Sequence, residues 1–461
     1  MVPARVQAVI DEVGPLAARF ADAGQRIYLV GGTVRDLLSG RDAADVDFDL
    51  TTDATPDRIE SIVAGWADAT WTQGKRFGTI GCRRDGRDYE ITTHRAEVYV
   101  PDSRKPDVAF ADAVEVDLSR RDFTVNAMAL ALGRPDPVLV DPFGGAADLA
   151  AGRLRTPRSP EESFSDDPLR MLRAARFVAT LGLAPDPELV AAVERMHDRL
   201  EIVSAERIRA ELDKLLVGER PGAGLWFLVD TGLAGVFLPE LPNMALEQDP
   251  IHRHKDVLAH TIAVVENTSA DLVLRLAALF HDVGKPKTRS FGGAGKVSFH
   301  HHEVVGARMT RDRLQALRYP TDLAEDVVRL VELHLRFHTY QMGWTDSAVR
   351  RYVRDAGPLL DRLNELTRCD CTTRNPRKAE QLARRMDELV ARIAELRAAE
   401  ELDAVRPELD GTAVMDRLGL APGRAVGEAL AFLLELRLEE GPLGEEEAGR
   451  RLDAWWAARQ G

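Results

Sequence analysis

Asp47 and Asp49 alternate with Phe48, so in an extended segment both carboxylates leave the same face. Two carboxylates so placed can bridge Mg²⁺ ions that orient a nucleotide's phosphates and activate a hydroxyl. Upstream, Gly31 and Gly32 follow an apolar run and precede a helical pattern. Backbone N–H groups of such a turn can approach phosphate at a helix N-terminus, and Arg35 lies one turn further on. Each feature alone also reads as a solvated strand face or an ordinary turn, but their succession points to nucleotide chemistry. Arg120-Arg121-Asp122 offers planar guanidinium groups beside an acceptor carboxylate, which suits phosphate and hydroxyl recognition. A second kind of chemistry is concentrated elsewhere. Nine of the 11 histidines lie between His252 and His338, and His281-Asp282 closes the apolar helical stretch LRLAALFHDVGK. Imidazoles with one or two carboxylates suit a hydrolytic transition-metal site.

The elements that must hold these residues are legible around them. IYLVGG (27–32) reads as a buried strand ending in the Gly-Gly turn, and TVRDLLSG as a helix of about two turns closed by Gly40. VDFDLTT (46–52) is the next strand, so the first 150 residues are mixed α/β. From about residue 165 the pattern turns helical, with apolar positions three to four apart, and an all-α body is expected. Pro and polar residues interrupt the periodicity near 238–250 and 372–378.

Composition narrows the class. The chain has 461 residues, 45% of them apolar and 30% charged, enough for two to four domains at roughly 100–200 residues each. That balance excludes collagen-like and wholly disordered chains. The net charge of −14 argues against indiscriminate nucleic-acid binding and leaves room only for a local basic groove. No apolar run reaches the ~18 residues of a membrane span, and Asp11 and Glu12 interrupt any signal-like N-terminus, so no membrane association and a cytoplasmic location are expected. Three cysteines provide neither a disulfide framework nor a four-cysteine zinc site.

The motifs carry a resemblance. GGTVRD (31–36), DFDLTTDATP (47–56), LSRRDFTVNAMAL (118–130), DPFGGAADLAAGRLRT (141–156), FSDDPLRMLRAARF (164–177) and VSAERIRAELDKLL (203–216) resemble, in order, the motifs of the class II tRNA nucleotidyltransferase and bacterial poly(A) polymerase family. The resemblance implies an α+β protein: a DNA-polymerase-β-like head over 1–150, then a helical neck for base and RNA binding (151–245), a metal domain (246–375) and a helical tail (376–461). It implies that Gly31, Gly32 and Arg35 contact the triphosphate and that Asp47 and Asp49 bind Mg²⁺. Asp45-Val46-Asp47 offers an alternative register, favoured by its spacing from Gly31, whereas the TTDATP anchor fits Asp47/Asp49. Arg120, Arg121 and Asp122 correspond to the motif that reads ribose and supports the phosphates. Asp167 and Arg170 correspond to the pair that reads the base, with Asp166 where the family pattern has Glu. Asp167 followed by Pro168 also suits a plain helix start. Arg173 and Arg176, on the same helix side, line a groove for RNA phosphate or form a solvated face.

The histidine-rich region resembles the HD phosphohydrolase superfamily, whose H…HD…D signature matches His260, His281-Asp282 and Asp370. His302 and His334 match the additional ligands of its two-metal members, and Lys285 follows the family's HDxGK turn. A divalent transition metal is the implied cofactor. The loop-like THRAEVYVPDSRKPDVAF (93–110) resembles the flexible loop of CCA-adding members, and GKRFGTI (74–80) has Gly where the polyadenylating branch typically continues with another basic residue. The expected activity is therefore template-independent addition of CCA to tRNA 3′ ends from CTP and ATP. Alternatives are poly(A) synthesis, partial A- or CC-addition, or an HD phosphohydrolase with a binding-only head; a bare RNA-binding scaffold would lack the intact carboxylates.

Overall fold

The computed structural model describes residues 4–40, 47–98, 107–133, 137–246, 256–291, 297–339, 344–371, 376–400 and 405–460. They fall into two compact units, Met1–Phe237 and Leu238–Gly461.

The first unit is built on strands β1 (Ile27–Val30), β2 (Phe48–Thr52), β3 (Ala69–Trp71), β4 (Thr79–Arg84) and β5 (Arg87–Thr93), a separate hairpin of β6 (Arg95–Val98) and β7 (Asp107–Phe110), and then β8 (Ala129–Ala131) and β9 (Val138–Val140). The mixed sheet has the order β3-β4-β5-β2-β1-β8-β9. Its one parallel pairing among these strands joins β2 to β5, with Asp49 opposite Glu90. Phe48 and Leu50 of β2 and Tyr89 and Ile91 of β5 face a core closed by Val13, Leu16 and Phe20 of the helix Ala4–Asp22 and by Ile59 and Ile62 of the helix Pro56–Val63. Each such burial is worth roughly 1.5–3 kcal/mol. A one-residue slip would expose this apolar set and bury Asp49, so the core fixes which way the carboxylate points. On the opposite face, Tyr28, Val30, Val114, Leu118, Ala127 and Ala129 form a smaller core. Asp49, Glu90 and Thr92 line a cleft of about 260 Å³ next to it.

Gly31 has φ +73°, as a strand-to-helix turn of this kind requires, and the helix Gly32–Ser39 ends at Gly40 with φ +76° in the left-handed region. Helices Pro160–Asp166, Leu169–Leu181, Pro187–Met196, Ala205–Leu216 and Pro221–Asp230 follow. The first starts with a capping box, Ser159 and Glu162, and Pro160 at its first turn.

In the second unit, Asp256 and Asp271 cap the helices Val257–Asn267 and Leu272–Phe280. Helices His302–Ala316, Thr321–Leu333 and Leu360–Asp370 follow in turn. Beyond them, the helices Gly411–Leu418, Arg424–Glu440 and Glu445–Gln460 share a core of Val414, Ala429, Leu433 and Leu452. The expected all-helical body contains two departures: Ala184–Pro185 pairs parallel with Arg153–Leu154, and Arg289–Phe291 pairs with Val297–Phe299 as a hairpin. Phe291, Val297 and Phe299 favour an extended backbone, and the pairs are too short to leave a periodic signal. No helix among the described residues is long and apolar enough to cross a membrane.

Candidate functional site

The first constellation assembles around the cleft. Strand β2 carries Asp49 on its uncovered face, and Asp47 lies just before the strand, in the same alternation. The parallel register brings Glu90 of β5 alongside, a third carboxylate absent from the sequence expectations. Its signal was present in RDYEITT, where Tyr89 and Ile91 face inward and Glu90 must face out, but only the pairing of β2 with β5 shows what it faces. Burial raises the Asp49 pKa against the opposing Arg121, and Asp47 adds to the rise; Glu90 is raised by burial and then by Asp49 and Asp47. Hard oxygen donors of this kind suit a divalent cation such as Mg²⁺, and among the described residues these three do not draw their oxygens together as the histidine triads of the second unit do. Asp45 lies outside the described residues.

The glycine turn meets this site directly. A side chain at Gly31 would come within 3.1 Å of Arg121 Nη1 and 3.6 Å of Asp49 Oδ2. Arg120 and Arg121 line the cleft, and Arg121 donates to Asp117 at 3.2 Å. The other expected nucleotide-binding residues are engaged within the protein. Arg35 forks onto Asp36 with two 2.9 Å hydrogen bonds and donates to Asn126 Oδ1 at 2.7 Å. Asp122 is buried, accepts from Phe123 N and Asn126 Nδ2, and pairs with Arg173 at 2.6 Å. Despite its burial, Arg173 and Asn126 hold Asp122 below the usual carboxylate range. Arg176 pairs with Glu211 at 3.0 Å, so Arg173 and Arg176 face inward against distant carboxylates instead of forming a solvated stripe.

Asp167 ends one helix, accepts from Leu169 N at 3.1 Å and pairs with Arg207 at 2.8 Å. Arg170 is buried, donating to Ser163 Oγ at 2.9 Å and to the Arg120 carbonyl at 2.5 Å. Asp166 pairs with Arg158, not with Arg170.

The second constellation is a closed cluster. His260 comes from one helix, His281 and Asp282 from the end of the next, His302 from the start of a third, His334 from the end of a fourth and Asp370 from the end of a fifth. They form two triads able to hold an ion, His260/His281/Asp370 and Asp282/His302/His334. His281, His302 and His334 each donate Nδ1–H to the carbonyl three residues earlier, at 2.8, 2.8 and 2.6 Å. That turns each Nε2 toward the centre. Nε2 of His302 and of His334 are buried without a well-formed hydrogen bond, the state expected of atoms that face a cation. Gly284 allows this packing, since a Cβ there would lie 2.2 Å from the His302 carbonyl. Asp282 lies 3.2 Å from His281, 3.3 Å from His302 and 2.6 Å from Lys285. Burial alone would lower His281, but Asp282 and Asp370 push it up to about 10. Burial, and then charged His281, press His334 down to about 4. His301 is exposed, while His252 and His254 lie outside the described residues. His338, with no expected role, sits 3.9 Å from Asp370 Oδ2.

Comparison with known proteins decides the lineage. Residues 27–155 match the Poly A polymerase head domain, 182–244 the family described as "Probable RNA and SrmB-binding site of polymerase A" and 257–396 the HD domain. An A-adding tRNA nucleotidyltransferase of Deinococcus radiodurans is 35% identical over 442 residues, covering 93% of this chain and 95% of that one. The chain belongs to the tRNA nucleotidyltransferase and poly(A) polymerase family. Within this family it is also 39% identical over 220 residues to a CCA-adding enzyme of Levilactobacillus brevis, a match spanning 48% of this chain and about half, 53%, of the relative. The fold of the Bacillus stearothermophilus CCA-adding enzyme, solved with CTP, superposes with a TM-score of 0.67 at 23% identity and covers 98% of both chains. The Thermotoga maritima CCA-adding enzyme, solved with tRNA, gives 0.61 at 19% identity over 97% and 96%.

Proposed function

We propose that this family member completes tRNA 3′ ends by template-independent addition of CCA, using CTP and ATP in the head cleft. The observation that carries the reading is the convergence of Asp49, Glu90 and the Gly31 turn with Arg121 in one cleft. Asp47 and Asp49, with Glu90 beside them, would hold the metal, and Mg²⁺ bound there supplies charge neutralisation and Lewis acidity at the reacting phosphate. Gly31 and Gly32 let the backbone approach the triphosphate without a Cβ in the way. Arg120 and Arg121 supply cationic donors for charge that develops as pyrophosphate leaves. Asp167 presents a carboxylate acceptor, held by Arg207, to the amino group shared by cytosine and adenine. Arg170 braces the Arg120 carbonyl, so its part in base reading runs through that contact. The work is cytoplasmic, with 1–150 as the head, 151–245 as the neck, and 376–461 as a helical tail.

The 246–375 domain is a divalent-metal phosphohydrolase in this reading. His260, His281, Asp282, His302, His334 and Asp370 would hold a transition metal, which supplies Lewis acidity for phosphoester cleavage. Lys285 places a cation beside Asp282 for the substrate's phosphate.

One observation favours a narrower activity, addition of the terminal A alone: a relative 35% identical and matched along 95% of its length is an A-adding enzyme. Incubating the protein with a tRNA ending before CCA and with one ending in CC, each with CTP or ATP singly and both together, separates the two. CCA addition predicts CMP incorporation on the first tRNA and AMP on the second. A-addition predicts AMP on the second only.

A further inference from the structure

We propose that Asn126 is a positioning residue for nucleotide binding; the inference rests on the head cleft being the transferase site. Asn126 is buried, in a short turn after β7 and before β8. Its carbonyl oxygen accepts from Arg35 Nη1 at 2.7 Å, and its Nδ2 donates to Asp122 Oδ1 at 3.0 Å. Arg35 can only donate and ionised Asp122 can only accept, so the amide has one orientation that satisfies both.

Each partner leads to a different wall of the cleft. Arg35 is forked onto Asp36, and its Nη2 lies 3.4 Å from where a Gly32 Cβ would be, so its guanidinium packs under the glycine turn. Asp122 follows Arg120 and Arg121 directly and is anchored on its other oxygen by Arg173 of the helix Leu169–Leu181. The same helix holds the Arg120 carbonyl through Arg170. Asn126 is therefore a hydrogen-bonded link between the turn that takes the phosphates and the arginine segment that faces it. An aspartate of the same shape would still meet Arg35 but would set a carboxylate against Asp122. An alanine would leave Asp122 Oδ1 and Arg35 Nη1 each short of one partner in a buried site, a loss of the size that shifts positioning.

The test compares Asn126→Ala and Asn126→Asp with wild type by thermal melting, by ATP and CTP binding in calorimetry, and by steady-state transfer to tRNA. Both variants are expected to fold. ATP and CTP affinity should fall on the order of tenfold, more for Asp than for Ala, with a matching rise in nucleotide KM and a tRNA KM within about twofold of wild type. Folded variants with nucleotide affinity within about twofold of wild type overturn the proposal, as does an equal rise in tRNA KM. Loss of folding in both variants also overturns it, because Asn126 would then be a stability element. The binding measurement keeps the two readings apart: wild type that binds nucleotide but transfers none refutes the transferase assignment, while the variants still report on Asn126.

Discussion

The carboxylate cleft of the head and the histidine cluster of the second unit both gather metal-type donors, yet they are electrostatic opposites. In the cleft, burial holds Asp49 and Glu90 above the usual carboxylate range, Asp47 adds to both rises and Asp49 to that of Glu90, and Arg121 opposes only at Asp49. In the cluster, burial is outweighed for the carboxylates: His281 and Lys285 hold Asp282, and His260 and His281 hold Asp370, far below that range. The cleft is an incomplete site that needs incoming positive charge, and it opens to the cleft's solvent where nucleotide and cation can arrive together. The cluster carries its own counter-charges, and His281, His302 and His334 are each oriented by a backbone carbonyl three residues earlier.

The largest test of that contrast is chemical. Asp47→Ala and Asp49→Ala should each lower the rate of nucleotide transfer by roughly a thousandfold or more while tRNA affinity changes little, as measured by single-turnover incorporation and filter binding. If Asp45→Ala is dead while Asp49→Ala remains active, the metal pair sits two residues earlier.

A complete but more selective effect is expected in the second unit. His281→Ala combined with Asp282→Ala should abolish tightly bound transition metal, read by elemental analysis, together with any phosphohydrolase activity. CMP and AMP transfer should stay within about twofold of wild type if the variant folds. Equal loss of transfer in a folded variant would break the separation of the two sites.

Base reading should respond by an intermediate amount. Asp167→Asn retains its capping ability but adds a donor, so relative incorporation of CTP, ATP, GTP and UTP should shift on the order of tenfold with little change in melting temperature. An unchanged four-nucleotide profile would make Asp167 a helix terminus only. Arg170→Ala should cost more stability than a surface change, because it removes donors from Ser163 and from the Arg120 carbonyl in a buried site.

The smallest effect is a pH-dependent stability difference. A carboxylate whose folded pKa is raised contributes stability that is present below its unfolded pKa and lost as pH rises through the folded one. Asp49→Asn should therefore match wild type in acid and gain slightly in melting temperature, by less than about 2 °C, as pH rises from about 4 to 7 without divalent cation. Added Mg²⁺ should narrow the gap by stabilising wild type alone. A wild-type protein that is the more stable at pH 7 without metal would show that Asp49 is already neutralised.

The sequence made local devices plain and long-range partners opaque. The helix Gly32–Ser39 with its left-handed Gly40, the inward alternation of β2 and the His/Asp cluster all rest on spacing within one element or on a motif order. Glu90 was not legible because its role depends on a parallel pairing with a strand 41 residues away. Arg173 and Arg176 read as an RNA groove or a solvated face because their partners, Asp122 and Glu211, lie on other elements. Arg170 was read as facing the base, whereas the structure turns it onto the Arg120 carbonyl. Fold class follows from periodicity; the direction of a charged side chain follows from tertiary packing, which periodicity does not carry.

The central claim, that the Asp47/Asp49 cleft builds the tRNA 3′ end, is tested most directly by the mass of a tRNA transcript lacking CCA after incubation with CTP, ATP and Mg²⁺. Wild type should yield a product heavier by two CMP and one AMP residues, and Asp47→Ala should return the transcript unextended. An unextended transcript with wild type, or full extension by folded Asp47→Ala, would contradict the account.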